Sequence, residues 1–437
     1  MTQKQAFEML RLGYTMLITG SPGSGKTHLL NKFIKHLKKY KVPVGITATT
    51  GIAATHIGGT TLDSWSGIGL AEELTDPQIY EITQKKYIKE RLLKTKVVII
   101  DEVSMLSSGK VDLLNRLLQE AQRNQNPFGG VQMVFCGDFF QLPPVADDRN
   151  NPPYAFKSKI WNSMDLHVAY LTETHRQEMG DFLRVLNSIR SNTVGDAEYK
   201  ILRVCVSREF PRGVVPTRLY THNIDVDAIN KRELEKINSN VFSFEMEVSG
   251  IPTLVQSLKN NCLAPEHLEL KKGAVVMFVR NNLREGYING TMGRVTGFDS
   301  GGPIVETFDR RKIHVKNLTW SIEEDGRIKA SVTQFPLRLA WAITVHKSQG
   351  MTLSAAEVDL SKSFLLGMGY VALSRLRNLE SLKILGLNEI ALSVSPEIAA
   401  IDRFIQEKSK EEEEELSQLG VITRFFRKRN VMYHLTS

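Results

Sequence analysis

The chain has 437 residues, 42% of them hydrophobic and 24% charged, a globular composition too long for one ordinary core and suited to two or three domains. Its formal charge of +8 suits a polyanionic partner, although a modest basic excess is also what a solvated surface carries. Cys136, Cys205 and Cys262 lie far apart with no C-x-x-C pair, which argues against a disulfide framework and a zinc site, and no apolar run approaches the length of a membrane span.

The first residues, 1–11, read as a short helix carrying Gln3 and Gln5. A glutamine amide just ahead of a nucleotide site can pair both its donor and its acceptor with adenine, and either residue is equally readable as an exposed helical glutamine. A short apolar strand, 14–19, then runs into Gly20-Ser21-Pro22-Gly23-Ser24-Gly25-Lys26-Thr27, followed by a helix over 29–39. This is the G-x-x-x-x-G-K-[ST] phosphate loop in its required strand–loop–helix context. The glycines let successive N–H groups turn inward onto a polyphosphate, and the helix N-terminus adds its positive end. Lys26 supplies a cation for the terminal phosphates and Thr27 a hydroxyl for Mg²⁺, so ATP with Mg²⁺ is the expected ligand pair. The basic face formed by Lys32, Lys35, Lys38 and Lys39 is most simply solvated.

A second strand, 44–48, leaves through Thr49-Thr50-Gly51-Ile52-Ala53-Ala54 and then Gly58-Gly59-Thr60-Thr61-Leu62-Asp63-Ser64-Trp65. Small residues let a backbone approach closely, and threonine and serine hydroxyls are ordinary ligands of nucleic-acid phosphates; a plain tight loop is the alternative. Residues 63–83 read as an insertion of low regularity. The apolar strand 97–100 ends in Asp101-Glu102, where a phosphate-loop ATPase keeps a metal-ordering aspartate and a second carboxylate can take a proton from attacking water. Val111, Leu114, Leu117, Leu118 and Ala121 recur at helical spacing. The strand 131–136 leads to Gly137-Asp138-Phe139-Phe140-Gln141-Leu142-Pro143-Pro144, from which Gln141 could reach a γ-phosphate; Arg176 follows a further strand as a candidate for stabilising phosphoryl transfer.

The pattern changes near Arg190, where a domain boundary is expected. Residues 217–221 and 274–279 read as strands, and the helix between them buries Val226, Ile229, Leu234 and Ile237. Between 281 and 334 the texture becomes all-β, punctuated by Asn289-Gly290, Gly301-Gly302 and Asp325-Gly326, and predicts a small inserted barrel. The α/β texture returns with His346-Lys347-Ser348-Gln349-Gly350, a helix ending in Arg375, and a strand at 382–385. An acidic block, 411–415, and a basic stretch, 424–429, are expected to form a solvated helix and tail.

From Gln3 to Leu385 these residues resemble the Pif-type DNA helicases of the RecD-like branch of helicase superfamily one. The most specific pieces are the Thr49–Ala54 run with Gly58-Gly59-Thr60, Asp101-Glu102-Val103-Ser104-Met105, the Gly137–Pro144 run, and His346–Gly350; residues 104–126 look like the family's signature segment. The resemblance implies an α/β fold of two RecA-like domains with parallel sheets, the first over 1–190 with a wedge insertion near 63–83, the second over 191–280 and 335–405 with the β-barrel at 281–334, and a charged tail from 406 to 437. It implies ATP-driven 5′ to 3′ movement on single-stranded DNA and unwinding of forked or tailed duplexes, with G-quadruplex and RNA–DNA hybrids left open, by a chain monomeric in the core reaction.

Carried over by position, Gln3 reads adenine; Gly20, Gly23, Ser24, Gly25, Lys26 and Thr27, with Gly350, hold the nucleotide; and Asp101 orders the metal. Glu102 activates water, Gln141 senses the γ-phosphate, and Arg176 and Arg375 act as arginine fingers. Thr49, Thr61 and Ser64, with His346, Lys347 and Ser348, touch the DNA. This chain departs from the family at Asp63, where histidine is usual and an acid would repel phosphate, at Pro22 in the phosphate loop, and at His175. With no secretory pattern, transit pattern or membrane span, the expected location is cytoplasmic, on the nucleoid if the source is bacterial, with no membrane partner. The rival readings are a RecD-like motor subunit of a larger complex and an ATP-gated nucleic-acid clamp.

Overall fold

The computed structural model describes residues 1–436 apart from 70, 146–150, 174–179, 212–213, 281, 283, 288, 325–326 and 352. The chain divides into two compact units: Met1–Leu183 with Asn187–Thr193 and Ser393–Ser437, and Arg184–Leu186 with Val194–Leu392.

Unit 1 is built on a six-stranded sheet: β1 (Met16–Gly20), β2 (Val44–Ala48), β3 (Thr60–Thr61), β4 (Val97–Asp101), β5 (Gln132–Cys136) and β6 (His167–Leu171). Its order is β3-β2-β4-β5-β1-β6 and every neighbouring pair is parallel. β1, β4 and β5 are buried along their whole length. That is why they read as unbroken apolar runs: a parallel strand covered on both faces has no solvent side to alternate with. The order also decides where chemistry can be built. β5 lies between β4 and β1, so the carboxyl ends of three strands distant in sequence open side by side, the place where such sheets bind ligands.

The stretch expected to be irregular is helical, with helices Leu62–Ser66, Asp76–Gln84 and Lys86–Lys94. Thr61 caps the first by accepting from the Ser64 N–H, and a reciprocal Thr75–Gln78 box starts the second. Ile79 and Ile82 are buried, and this helix packs on Ser108–Gln122, the helix that the Val111–Ala121 spacing predicted.

The expected charged tail is a pair of helices, Pro396–Gln418 and Val421–Thr436, and both belong to unit 1. Their charges are matched locally, which sequence spacing does not reveal. Glu412 is buried against His167 Nδ1 at 2.6 Å, Glu413 lies 3.3 Å from the amino terminus and accepts from Gln5 Nε2 at 2.9 Å, and Ser409 Oγ accepts the Tyr170 N–H at 2.9 Å. Leu416 enters the same core as Met1, Ala6, Met9 and Leu10. Lys428 pairs with Glu8, and Arg427 stacks over Tyr14 at 4.2 Å. Burying a carboxylate costs free energy unless it is paired, and these are paired across more than 240 positions of sequence.

Unit 2 carries a four-stranded parallel sheet in the order Ala342–Thr344, Thr217–Tyr220, Ala356–Leu360, Leu382–Leu387. Its all-β part is wider than the expected 281–334. It begins at Val241–Glu245, ends at Leu337–Leu339, and consists of two-, three- and five-stranded antiparallel sheets. Strand His267–Lys271 pairs with Val241–Glu245 and buries Leu268 and Leu270 in one core with Phe278, Val295, Val305 and Phe335. Those early strands are separated by the helix Pro252–Asn261, which hid them from a reading based on regular hairpin punctuation. Among the described residues, no helix is long and apolar enough to cross a membrane.

Candidate nucleotide site and nucleic-acid contacts

The phosphate loop joins the end of β1 to helix Lys26–Lys39, and Gly25, the N-cap, has φ +84°. A Cβ there would meet Gln3 Nε2 at 2.2 Å, so glycine serves both the left-handed backbone and the close approach of Gln3. Gln3 also donates to the Ser24 carbonyl at 3.4 Å, and its own N–H faces Glu173 at 3.4 Å. Lys26 Nζ folds over the loop and donates to the Gly20 and Ser21 carbonyls at 2.8 and 3.0 Å. Burial pushes its pKa down, and the charges of Asp138 and Glu102 push back. Thr27 is exposed.

At the end of β4 the buried Asp101 carboxylate accepts the Glu102 N–H at 2.9 Å. Burial raises its pKa, opposed by that bond, by the Cys136 thiol and by Lys26. Glu102 follows in the left-handed region, φ 57° and ψ 47°, a conformation that costs a non-glycine residue about 1–2 kcal/mol. Its carbonyl accepts the Thr49 hydroxyl at 2.9 Å, and the Thr49 N–H bonds the Asp101 carbonyl at 3.2 Å. The end of β2 thus staples the strained turn that carries both carboxylates.

Beyond β5 the chain turns at Gly137, whose N–H bonds the Ile18 carbonyl of β1. Gln141 is buried. Gln141 Oε1 and Ser24 Oγ are both buried with no hydrogen-bond partner among the described residues. Buried polar atoms are normally satisfied, so two orphans beside a glycine cradle, a lysine and a paired aspartate fit a polar, anionic ligand with a hard cation.

The other expected residues lie as follows. Arg176 falls outside the described residues. Arg375 is buried in unit 2 and donates to the Val371 carbonyl at 2.9 Å and to Ser374 Oγ at 2.7 Å. Thr61 and Ser64 share a hydroxyl bond of 3.0 Å at a helix cap, with Ser64 exposed. In unit 2, Ser348 is buried and turns its hydroxyl to the Val345 carbonyl at 2.7 Å, and the Lys347 N–H bonds Thr344 Oγ1 at 3.3 Å. Desolvation, then Arg338, lowers the Lys347 pKa. His346 is exposed, and its ring lies 6.4 Å from that of Phe364; desolvation of its packed side and the neighbouring His222 hold its pKa down. Gly350 has φ +76°. Asp63 is paired at 2.5 Å with Lys110 of helix Ser108–Gln122, so its negative charge is met by a cation within unit 1.

Sequence reading missed Asp138, Arg190, Tyr170 and Asp402, which meet at the Arg190 guanidinium. Asp138 lies inside a quoted motif and Arg190 ends an amphipathic helix, two signals that were available; nothing in the sequence ties Asp402 to them.

A sequence model of the PIF1-like helicase family matches residues 2–197, and one described as DNA helicase Pif1, 2B domain, matches 253–298. The chain is 40% identical to the ATP-dependent DNA helicase Pif1 of Psychrobacter over 94% of its length and 72% of that protein's. It spans about three fifths of the vertebrate Pif1 proteins it also matches. Among solved structures it is similar to Pif1 helicase from Candida albicans (TM-score 0.80, 34% identity, 92% of this chain and 98% of that one). It is also similar to Pif1 helicase from Bacteroides in complex with ADP-AlF3 and ssDNA (TM-score 0.68, 31% identity, 94% and 97%). The two parallel sheets correspond to the two RecA-like domains of these proteins. With its phosphate loop, strand-end carboxylates and near-complete coverage by such relatives, this chain belongs to the Pif1-like family of DNA helicases.

Proposed function

We propose that the chain is an ATP-driven motor on single-stranded DNA that moves 5′ to 3′ and separates the duplex ahead of it, one copy sufficing for the core reaction. The observation that carries this reading is that Lys26, the Asp101–Glu102 pair and Gln141 follow three adjacent strand ends, with Ser24 Oγ and Gln141 Oε1 buried without a hydrogen-bond partner among the described residues. The Bacteroides relative solved with ADP-AlF3 and ssDNA supports it.

Lys26 binds the β and γ phosphates. Thr27 and Asp101 would hold Mg²⁺, which supplies charge neutralisation at the phosphate oxygens. Glu102 takes the proton of the water that attacks the γ-phosphorus, and its strained, stapled backbone fixes where that carboxylate stands. Gln141 offers its amide to the γ-phosphate, and Arg176 and Arg375 stabilise the transferring charge. Gln3 reads the adenine edge, with Gly350 at the nucleotide. Thr49, Thr61, Ser64, His346 and Lys347 form the phosphate track of the strand, and Ser348, buried with its hydroxyl on the Val345 carbonyl, holds the turn that carries the last two. Binding through phosphates should give a log–log salt slope of about −0.7 per contact on a single strand.

The test is ATP-dependent unwinding of two partial duplexes, one with a 5′ and one with a 3′ single-stranded tail, with Glu102→Gln as the control. Unwinding of the 5′-tailed substrate alone, lost in the variant, is the expected result; RNA–DNA hybrid and G-quadruplex arms define the substrate range. Strand-stimulated ATPase with neither duplex opened would overturn the reading in favour of a clamp or a motor needing a partner.

A further inference from the structure

We propose that Arg190 is a positioning residue for the loop that presents Gln141, and that Asp402, on the C-terminal helix Pro396–Gln418, completes its seat. The inference rests on the reading of Gln141 as the group that meets the γ-phosphate.

Arg190 is the last residue of helix Asp181–Arg190 and is 7% exposed. One guanidinium nitrogen donates to Asp138 Oδ1 and Oδ2 at 2.9 and 2.8 Å; another donates to Tyr170 Oη at 3.0 Å and to Asp402 Oδ1 at 3.1 Å. The guanidinium carbon lies 4.1 Å from the centre of the Phe140 ring. Asp138 is the knot of the loop. Its carboxylate accepts the Phe140 N–H at 3.2 Å, and its carbonyl accepts the Gln141 N–H at 2.9 Å. The guanidinium therefore grips the residue on which the backbone of Gln141 is hung and stacks on the residue between them.

A planar donor array suits this work. It satisfies two carboxylates and a phenol in fixed directions, whereas a lysine ammonium would keep the charge and lose the geometry. Asp138 is buried and Asp402 half-buried, and the pair requires a cation between them, because two carboxylates brought together with little water would otherwise be uncompensated. Arg190 thus ties the loop that carries Gln141 to the C-terminal helix, and touches no reacting atom.

The test is a double-mutant cycle on the full chain, reading kcat and KM for ATP, the affinities for ADP and for ADP with aluminium fluoride, and thermal unfolding. Arg190→Lys keeps the buried charge and is expected to fold. Its kcat should fall roughly 10- to 100-fold, the scale of a small misplacement of a reacting group, with ADP affinity unchanged and the preference for ADP–aluminium fluoride over ADP reduced. In a Gln141→Ala background the same change should add nothing, because its effect runs through Gln141. Asp402→Asn, which leaves the Asp138 contact intact, should give a smaller loss of the same kind. Additive effects of Arg190→Lys and Gln141→Ala, or an equal loss of ADP affinity, would overturn the proposal by showing a general structural role. If Gln141→Ala alone leaves kcat and the aluminium fluoride preference unchanged, the reading of Gln141 fails and the proposal falls with it. If only Gln141→Ala has an effect, the proposal fails by itself.

Discussion

In the six-stranded sheet of unit 1, the segments that leave β1 and β5 carry buried Ser24 Oγ and Gln141 Oε1, which have no hydrogen-bond partner among the described residues, and the end of β4 carries the half-buried Glu102 in a left-handed backbone. In the four-stranded sheet of unit 2, most of the corresponding groups are satisfied locally, and Ser363 Oγ, past the end of Ala356–Leu360, is buried without a hydrogen-bond partner among the described residues. Thr221 bonds His222, Ser348 bonds Val345, and Arg375 bonds its own helix. Both sheets obey the same parallel-strand physics. What separates them is what the leftover hydrogen-bonding capacity accompanies: in unit 1 a phosphate loop and two strand-end carboxylates, in unit 2, among the described residues, neither, and leftover capacity beside such groups marks where a ligand completes the structure.

The sharpest way to break this comparison is Arg375→Ala. If unit 2 contributes a cation to phosphoryl transfer despite its satisfied appearance, turnover should fall by ~10³- to 10⁵-fold while single-strand affinity is retained. Unchanged turnover, measured by phosphate release, would leave unit 2 with no part in the chemistry. Next comes Glu102→Gln, expected to lower turnover by about 10²- to 10⁴-fold with ATP binding preserved in a filter-binding assay; a loss of binding instead would mean that Glu102 holds the nucleotide rather than the water.

Gly25→Ala probes the cradle itself. A left-handed alanine costs about 1–2 kcal/mol in the folded chain, so the unfolding free energy should fall by about that much in a denaturant titration. The added Gln3→Ala would remove the crowding at Gln3 Nε2 and leave the backbone strain; full recovery of stability in that double variant would show that crowding, not φ, requires the glycine.

The smallest effect belongs to unit 2. The folded-state pKa of His346 lies below its unfolded value, so its neutral form contributes stability that is lost as pH falls through the imidazole range and lost no further once both states are protonated. His346→Gln should make the decline of melting temperature between roughly pH 8 and 5 shallower. An identical decline in the variant would show that the ring is not desolvated.

Motifs bound by adjacency were legible without coordinates. The strand–loop–helix context of Gly20–Thr27 and the apolar runs of β1, β4 and β5 follow from local backbone chemistry and from burial on both faces, and both are written in consecutive residues. Helical structure in the insertion was missed because its apolar face is short, Ile79 and Ile82 within a polar segment. The C-terminal charges were read as solvated because charge pattern alone cannot say that Glu412 meets His167, or Glu413 the amino terminus.

The sequence by itself determined the phosphate loop, the strand-end carboxylates and the family to which they belong, since each rests on residues close in the chain. Only the tertiary structure decided that Thr49 braces Glu102, that Lys110 neutralises Asp63, and that Arg190 joins Asp138 to Asp402. The reason is that pairing of buried charges is selected by distance in space, and the sheet order that sets those distances is not written in any one segment.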